Sequence, residues 1–320
     1  MKKRGVSMFP FVIIFVLLAG AIILMFFFGF AKGVKEQGES VNNLQIVNLL
    51  DRELDSFTLA ENARDTFEFP SEPEINITCI GGEKSRIQYG DARRDTFKLI
   101  AAPGILKGKK LDAWTLAWEY PFKIDNFYYL GNKKIRFYSP YSPPGTAAKI
   151  DDNIPATHFS KRNVNQIDAE INQVDNAVNI LYSDPVSFNP NLKVKTVKID
   201  TNTKTVTFYK PDGTAEGPEP YWGLPMAIAA IFAEDYNEYK CIKEIAKKRL
   251  GRMSEVYEKK ARELESKETD PGCKGIYQQI ITILDIPFDI NGELDGNYES
   301  GLIKLNRQLI GKNCPPLFLT

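Results

Sequence analysis

Histidine occurs once in the chain, at position 158, and that scarcity removes a large share of chemistry. A metal site built on several imidazoles is excluded, and any triad or dyad with a histidine base must use His158. It stands in Ile154-Pro155-Ala156-Thr157-His158-Phe159-Ser160 with no catalytic motif around it, which fits a structural or solvent-facing histidine. The sequence has no G-x-S-x-G, no phosphate-cradling glycine loop and no H-E-x-x-H. Excess charge of one sign is also missing. The 41 acidic and 41 basic residues balance, so no overall field recruits nucleic acid or an acidic surface. Low-complexity tails and internal repeats are absent. Cysteine is sparse, at Cys79, Cys241, Cys273 and Cys314, and no pair has the C-x-x-C spacing of a redox or zinc motif.

What the chain does have is one long uncharged run, residues 8–30. At about 1.5 Å of rise per residue a helix of that length covers roughly 34 Å, enough to cross a hydrocarbon core of about 30 Å. Phe9, Ile13, Leu17, Ile22, Phe26 and Phe30 are read as its membrane-anchor residues. Lys2, Lys3 and Arg4 precede the run, whereas Lys32 and Lys35 beyond it are offset by Glu36 and Glu39. That asymmetry keeps the N terminus in the cytoplasm and sends the remainder across the membrane. Gly29-Phe30-Ala31 offers small residues to a signal peptidase, but the apolar stretch exceeds the roughly 7–15 residues of an ordinary cleaved signal. The segment is read as retained, with the lipid bilayer as its partner. Gly29 and Gly33 have the small-xxx-small spacing that lets membrane helices approach.

The rest divides by pattern into an α+β protein. Residues 1–7 are read as a cytoplasmic basic leader, 8–30 as the transmembrane helix and 31–62 as a stalk helix. Residues 63–216 form a β-rich and α/β subdomain and 217–320 a helical, disulfide-containing subdomain. In the stalk, Leu44, Val47, Leu50, Leu54 and Phe57 recur at helical spacing behind Ser40 as a cap. Short aromatic and β-branched runs follow between glycines and prolines, among them Glu74–Ile80, Ser85–Tyr89, Thr96–Ala101, Ala113–Ile124, Asn126–Leu130 and Lys134–Ser139. Trp114, Leu116 and Trp118 alternate, as on one face of a strand. The adjacent Phe127, Tyr128 and Tyr129 form an interaction patch if exposed and strand core if buried. Tyr141–Gly145 reads as a loop.

Val164, Ile167, Ile171, Val174, Val178 and Leu181 predict an amphipathic helix over 163–181. Val194–Ile199 and Thr205–Tyr209 predict a hairpin, and Gly217–Gly223 an internal boundary. Three helical stretches close the chain: 226 to about 268 with a bend at Gly251, then 274–286, then 298–310. Alternating charges from Glu234 to Glu268, with pairs such as Glu244–Lys248 and Glu255–Lys259, describe a solvated helix face rather than a nucleic-acid patch.

On the outer side of a membrane, four cysteines suggest two disulfides. Cys273 opens one helix of the final pair and Cys314 follows the other, so their ends should meet; Cys79 is left for Cys241. An unbroken helix from 226 to 268 would hold Cys241 about 40 Å from Cys273, against the roughly 7 Å between Cα atoms that a disulfide tolerates. A break at Gly251 would reopen that pairing. Asn76-Ile77-Thr78 is a glycosylation sequon. Two carboxylate groups stand out: Glu234, Asp235 and Glu238, and Asp289, Glu293 and Asp295. The second has the rhythm of a calcium loop but carries Ser300 where the bidentate glutamate belongs, and reads as a solvated turn. No metal or cofactor is implied.

Lys2-Lys3-Arg4-Gly5-Val6-Ser7 before an apolar helix resembles the class III signal peptides of archaeal pilins. The resemblance implies a leader cut between Gly5 and Val6 and a helix packed into a filament core. The chain departs from it in its large exterior part and in Pro10 followed by bulky phenylalanines. The stretch from Trp114 to Leu130 and the helix opening Ala229–Cys241 are similar to uncharacterised single-pass membrane proteins of archaea. These readings favour a non-enzymatic, membrane-anchored cell-surface protein with an extracytoplasmic interaction domain. Its partner would be an unknown surface protein or its own copies, not nucleic acid. A pilin-like filament subunit is one alternative. An extracytoplasmic hydrolase is another, and it needs a pocket around His158 or converging carboxylates.

Overall fold

The computed structural model describes residues 24–25, 41–58, 60–139, 150, 152–163, 178–182, 194–210, 212–288 and 293–319. Of the apolar run 8–30 only Leu24 and Met25 fall within them, and both are helical. Among the described residues no helix is long and apolar enough to cross a membrane.

Helix α1, residues 41–56, turns Ile46, Val47, Leu50 and Leu54 inward and Val41, Leu44 and Leu49 outward. Its buried face joins the core of the globular domain. Lys98 Nζ lies 2.6 Å from Asp51 Oδ1 and 2.7 Å from Asp55 Oδ1, and Arg94 Nε lies 3.1 Å from Asp51 Oδ2. Burial alone would raise the Asp51 carboxyl; Lys98 and Arg94 outweigh it and hold its pKa below the usual carboxylate value.

Two four-stranded sheets follow. In one, β2 (Glu74–Ile80), β3 (Lys84–Tyr89), β4 (Ala92–Thr96) and β6 (Ile105–Lys107) run antiparallel in the order β4-β3-β2-β6. In the other, the long hairpin β7 (Lys110–Glu119) and β8 (Lys123–Gly131) is flanked by β1 (Arg64–Glu68) and β5 (Leu99–Ala101). The run 113–124 reads as one strand in the sequence. It is two, because Pro121 cannot donate to a ladder and sits in the turn between them.

The third sheet has the order β10-β9-β11-β12-β13-β14. Its parallel half comprises β9 (Ile135–Ser139), β10 (Ser160–Asn163), β11 (Val178–Leu181) and β12 (Val194–Asp200). Strands β13 (Thr205–Tyr209) and β14 (Ala215–Pro220) extend it antiparallel. The helix expected over 163–181 is thus a strand at both ends, and residues 164–177 lie outside the description, as does the loop 141–145. Strand β11 lies between two parallel neighbours, with Ile180 and Leu181 wholly buried. Such a strand shows an apolar run rather than alternation, and four residues of it fit a helical period as well. The boundary expected at 216/217 falls inside β14, and one buried cluster crosses it.

Helix α2 (Leu224–Phe232) is buried on every side from Pro225 onward and wedges between the sheets. Its Phe232 ring lies 5.1 Å from Tyr129 of β8 and 4.9 Å from Phe137 of β9. Helix α3 (Tyr236–Lys267) then continues unbroken past Gly251. The break comes earlier, at Ala233–Asp235, because the Asp235 side chain accepts the Glu238 amide at 2.8 Å and restarts the helix. Helices α4 (Pro271–Asp285) and α5 (Tyr298–Gly311) complete the fold. Disulfides join Cys79 of β2 to Cys241 of α3 and Cys273 of α4 to Cys314 beyond α5, with Cα separations of 5.8 and 6.0 Å.

Candidate functional site

The catalytic groups that the sequence offers do not converge. His158 Nδ1 lies 2.8 Å from the hydroxyl of its neighbour Thr157. Glu293 is held by Lys243, whose Nζ donates to its two carboxylate oxygens at 3.0 and 3.1 Å and to Glu219 Oε2 at 3.0 Å. Asp295 Oδ1 accepts the Asn297 amide at 2.7 Å, just before α5. Asp289 lies outside the described residues. Among those residues, no group of three or more His, Cys, Asp or Glu side chains is arranged to hold a metal ion.

The aromatic patch is corrected. Phe127, Tyr128 and Tyr129 are 0%, 1% and 0% exposed, so none of them can meet a partner. Both faces of β8 are covered: Tyr129 donates to Pro225 O of α2 at 2.7 Å, and Tyr128 lies 3.2 Å from the Thr58 hydroxyl. Trp114 and Trp118 are buried on the same sheet. Asn76 sits in mid-strand on β2, half-buried, opposite Gln88 and Ile105. The anchor residues Phe9, Ile13, Leu17, Ile22, Phe26 and Phe30, the basic residues Lys2, Lys3 and Arg4, and the cleavage pair Gly5 and Val6 all lie outside the described residues.

What the fold does assemble is a cavity of about 430 Å³ where β11 and β12 begin, β13 ends and α2 gives way to α3. Val178, Val194, Phe208, Tyr209 and Tyr236 supply apolar wall. Asn179, Lys195, Lys210, Glu216, Glu234 and Asp235 supply polar groups.

Lys195 is the least ordinary of these. It lines the cavity, and its ammonium is enclosed at the C-terminal end of α2. Nζ donates to Ile231 O at 2.6 Å, to Ala230 O at 3.5 Å and, at short range, to Ala233 O. The last carbonyls of a helix have no intrahelical partner, and Lys195 satisfies them. Burial pushes its pKa down to about 7, while Asp235 and Glu234 oppose the shift. Three acceptors need three protons. These contacts commit the group to the end of α2.

The acidic side is built by the α2–α3 break. Glu234 packs against the turn at Gly104, where φ is +67° and an added Cβ would sit 2.8 Å from Glu234 Cδ. Glu238, one turn into α3, accepts the backbone N–H of Cys79. Burial raises its carboxyl to about 7 against that hydrogen bond, and the like charges of Glu234 and Asp235 add to the rise.

A carboxyl raised from 4.5 to about 7 on folding makes the native state the stronger proton binder between those values. Stability therefore falls as pH rises from 4.5 to 7. Glu238→Gln is expected to remove that slope and to gain about 2 kcal/mol at pH 8, once screening on the solvent side is allowed for. Thermal unfolding of both proteins at pH 5 and pH 8 checks this. An equal difference at the two pH values would refute it.

Sequence reasoning named Glu234, Asp235 and Glu238 but missed Lys195, Phe208 and Glu216 as site residues. The one trace of Lys195 is its place in Val194–Asp200, where it alternates with buried Val194 and Thr196. Its partners lie 35 residues or more downstream. No protein-family model matches the chain, and no curated protein or solved structure matches it either.

Proposed function

We propose that the chain is a non-enzymatic, membrane-anchored protein whose extracytoplasmic domain binds another surface component or its own copies. The observation that carries this reading is the pairing of the uncharged run 8–30, behind Lys2, Lys3 and Arg4, with a domain holding two disulfides. Disulfides persist where thiols are kept oxidised, which suits the far side of the membrane that the charge asymmetry assigns. The groups best able to do chemistry are committed to structure: Lys195 to the end of α2, Glu293 to Lys243, and Asp295 to the turn before α5. Lys2 to Gly5 favour a second reading, a filament subunit released by a leader peptidase.

The intact mass of the protein extracted from its native membrane, with and without reduction, tests both. The anchored reading expects a mass beginning at Met1 and a gain of about 4 Da on reduction of two disulfides. A mass beginning at Val6 replaces it with the filament reading. Recovery in the soluble fraction, or no gain on reduction, overturns it.

A further inference from the structure

We infer that the cavity between β12, β13 and the α2–α3 break binds an organic cation, an ammonium or guanidinium group on a small apolar body. The inference rests on reading the domain as a binding module and adds the ligand class. Its volume, about 430 Å³, lies within the roughly 300–1,000 Å³ of small-ligand sites. Val178, Val194 and Phe208 would take the apolar body, and aromatic faces attract cations.

The charge on its walls selects the sign. Three carboxylates, Glu216, Glu234 and Asp235, share the cavity with two lysines. Both lysines already have partners. Lys195 spends its protons on the α2 carbonyls, and Lys210 lies 2.9 Å from Glu216. Glu234 and Asp235 are left with no ion pair among the described residues, at a place where an incoming cation would meet both. The Glu234 carboxylate lies beside the turn at Gly104.

A free amine and a basic side chain of a partner protein offer the same chemistry, so the test carries both. Full-length protein in detergent micelles is titrated calorimetrically with benzylammonium, benzyl alcohol, benzoate and Nα-acetylarginine amide. Saturable binding of benzylammonium about tenfold tighter than benzyl alcohol, with benzoate silent, is the expected result. Tighter binding of the arginine derivative would point to a partner's side chain, and tighter benzylammonium to a free amine. Glu234→Gln, at an exposed position, should weaken the cations about five- to tenfold and leave benzyl alcohol unchanged. Glu216→Gln frees Lys210 and should act in the same direction, which guards against one variant misfolding. Equal binding of the charged and neutral probes, a preference for benzoate, or cation binding indifferent to Glu234→Gln would each overturn the inference. None of these outcomes touches the anchored reading, which rests on the mass and membrane extraction.

Discussion

Replacing Cys79 and Cys241 together by serine is expected to destabilise the protein by about 5 kcal/mol, more than losing the other disulfide. The argument is chain entropy. Cys79–Cys241 closes 162 residues and Cys273–Cys314 closes 41, and loop-closure entropy gives about 5 and about 4 kcal/mol for those lengths. The loops do not overlap, so the two losses should add. Strain and residual unfolded structure usually reduce such values toward the lower part of a roughly 2–5 kcal/mol range. What survives that correction is the order. The long bridge also holds two layers together: Gly82 N lies 3.2 Å from Cys241 Sγ, and Lys248 reaches Glu83 at 3.3 Å. Serine keeps an acceptor for Gly82, so the comparison isolates the covalent link. Thermal unfolding of the full chain in detergent, each double variant against the parent, reads the effect as a fall in Tm of about 10 °C or more. A larger fall for the Cys273/Cys314 variant would refute the assignment.

The cysteine pairing could be argued from the sequence because it depends on helix length, and helix length is what a sequence reports best. Helix α3 is unbroken from Tyr236 to Lys267, which keeps Cys241 far from Cys273. Antiparallel strands were legible for a similar reason. Glu74–Ile80 and Thr205–Tyr209 expose one face, so their buried and exposed residues alternate. Legibility failed where neighbours cover both faces. Val178–Leu181 lies between two parallel strands and lost its period, and Phe127–Tyr129 is buried, with Tyr129 against α2 and Tyr128 against the turn at Thr58. Gly251 drew attention as a helix breaker. An interior glycine costs a helix only about 1 kcal/mol, which packing overrides, whereas the Asp235 cap restarts the chain actively. The cavity was out of reach. It draws one or two residues each from β11, β12, β13, β14 and the α2–α3 break, and its lysine is recognisable only beside carbonyls far along the chain.

Tyr129 separates the buried reading of the aromatic block from the surface one, and the two differ by several kcal/mol. Tyr129→Ala should cost about 3–5 kcal/mol, as for other large-to-small changes in a packed core. The ring touches three elements: its centroid lies 4.6 Å from Trp114 on β7, 5.1 Å from Phe232 on α2 and 6.3 Å from Phe127 on its own strand. Deleting it opens a void at the junction of the sheets with the helices, where α2 is enclosed and cannot shift to fill it. Tyr129→Phe keeps the ring and loses only the hydroxyl that donates to Pro225 O at 2.7 Å. It should therefore cost about 1–2 kcal/mol. Phe97, 51% exposed at the turn after β4, serves as the comparison, and Phe97→Ala should fall within about 1 kcal/mol of the parent. Denaturant unfolding of the three variants measures all of this. Were Tyr129→Ala as mild as Phe97→Ala, the ring would not be core, and the block Phe127–Tyr129 would return as a surface for a partner.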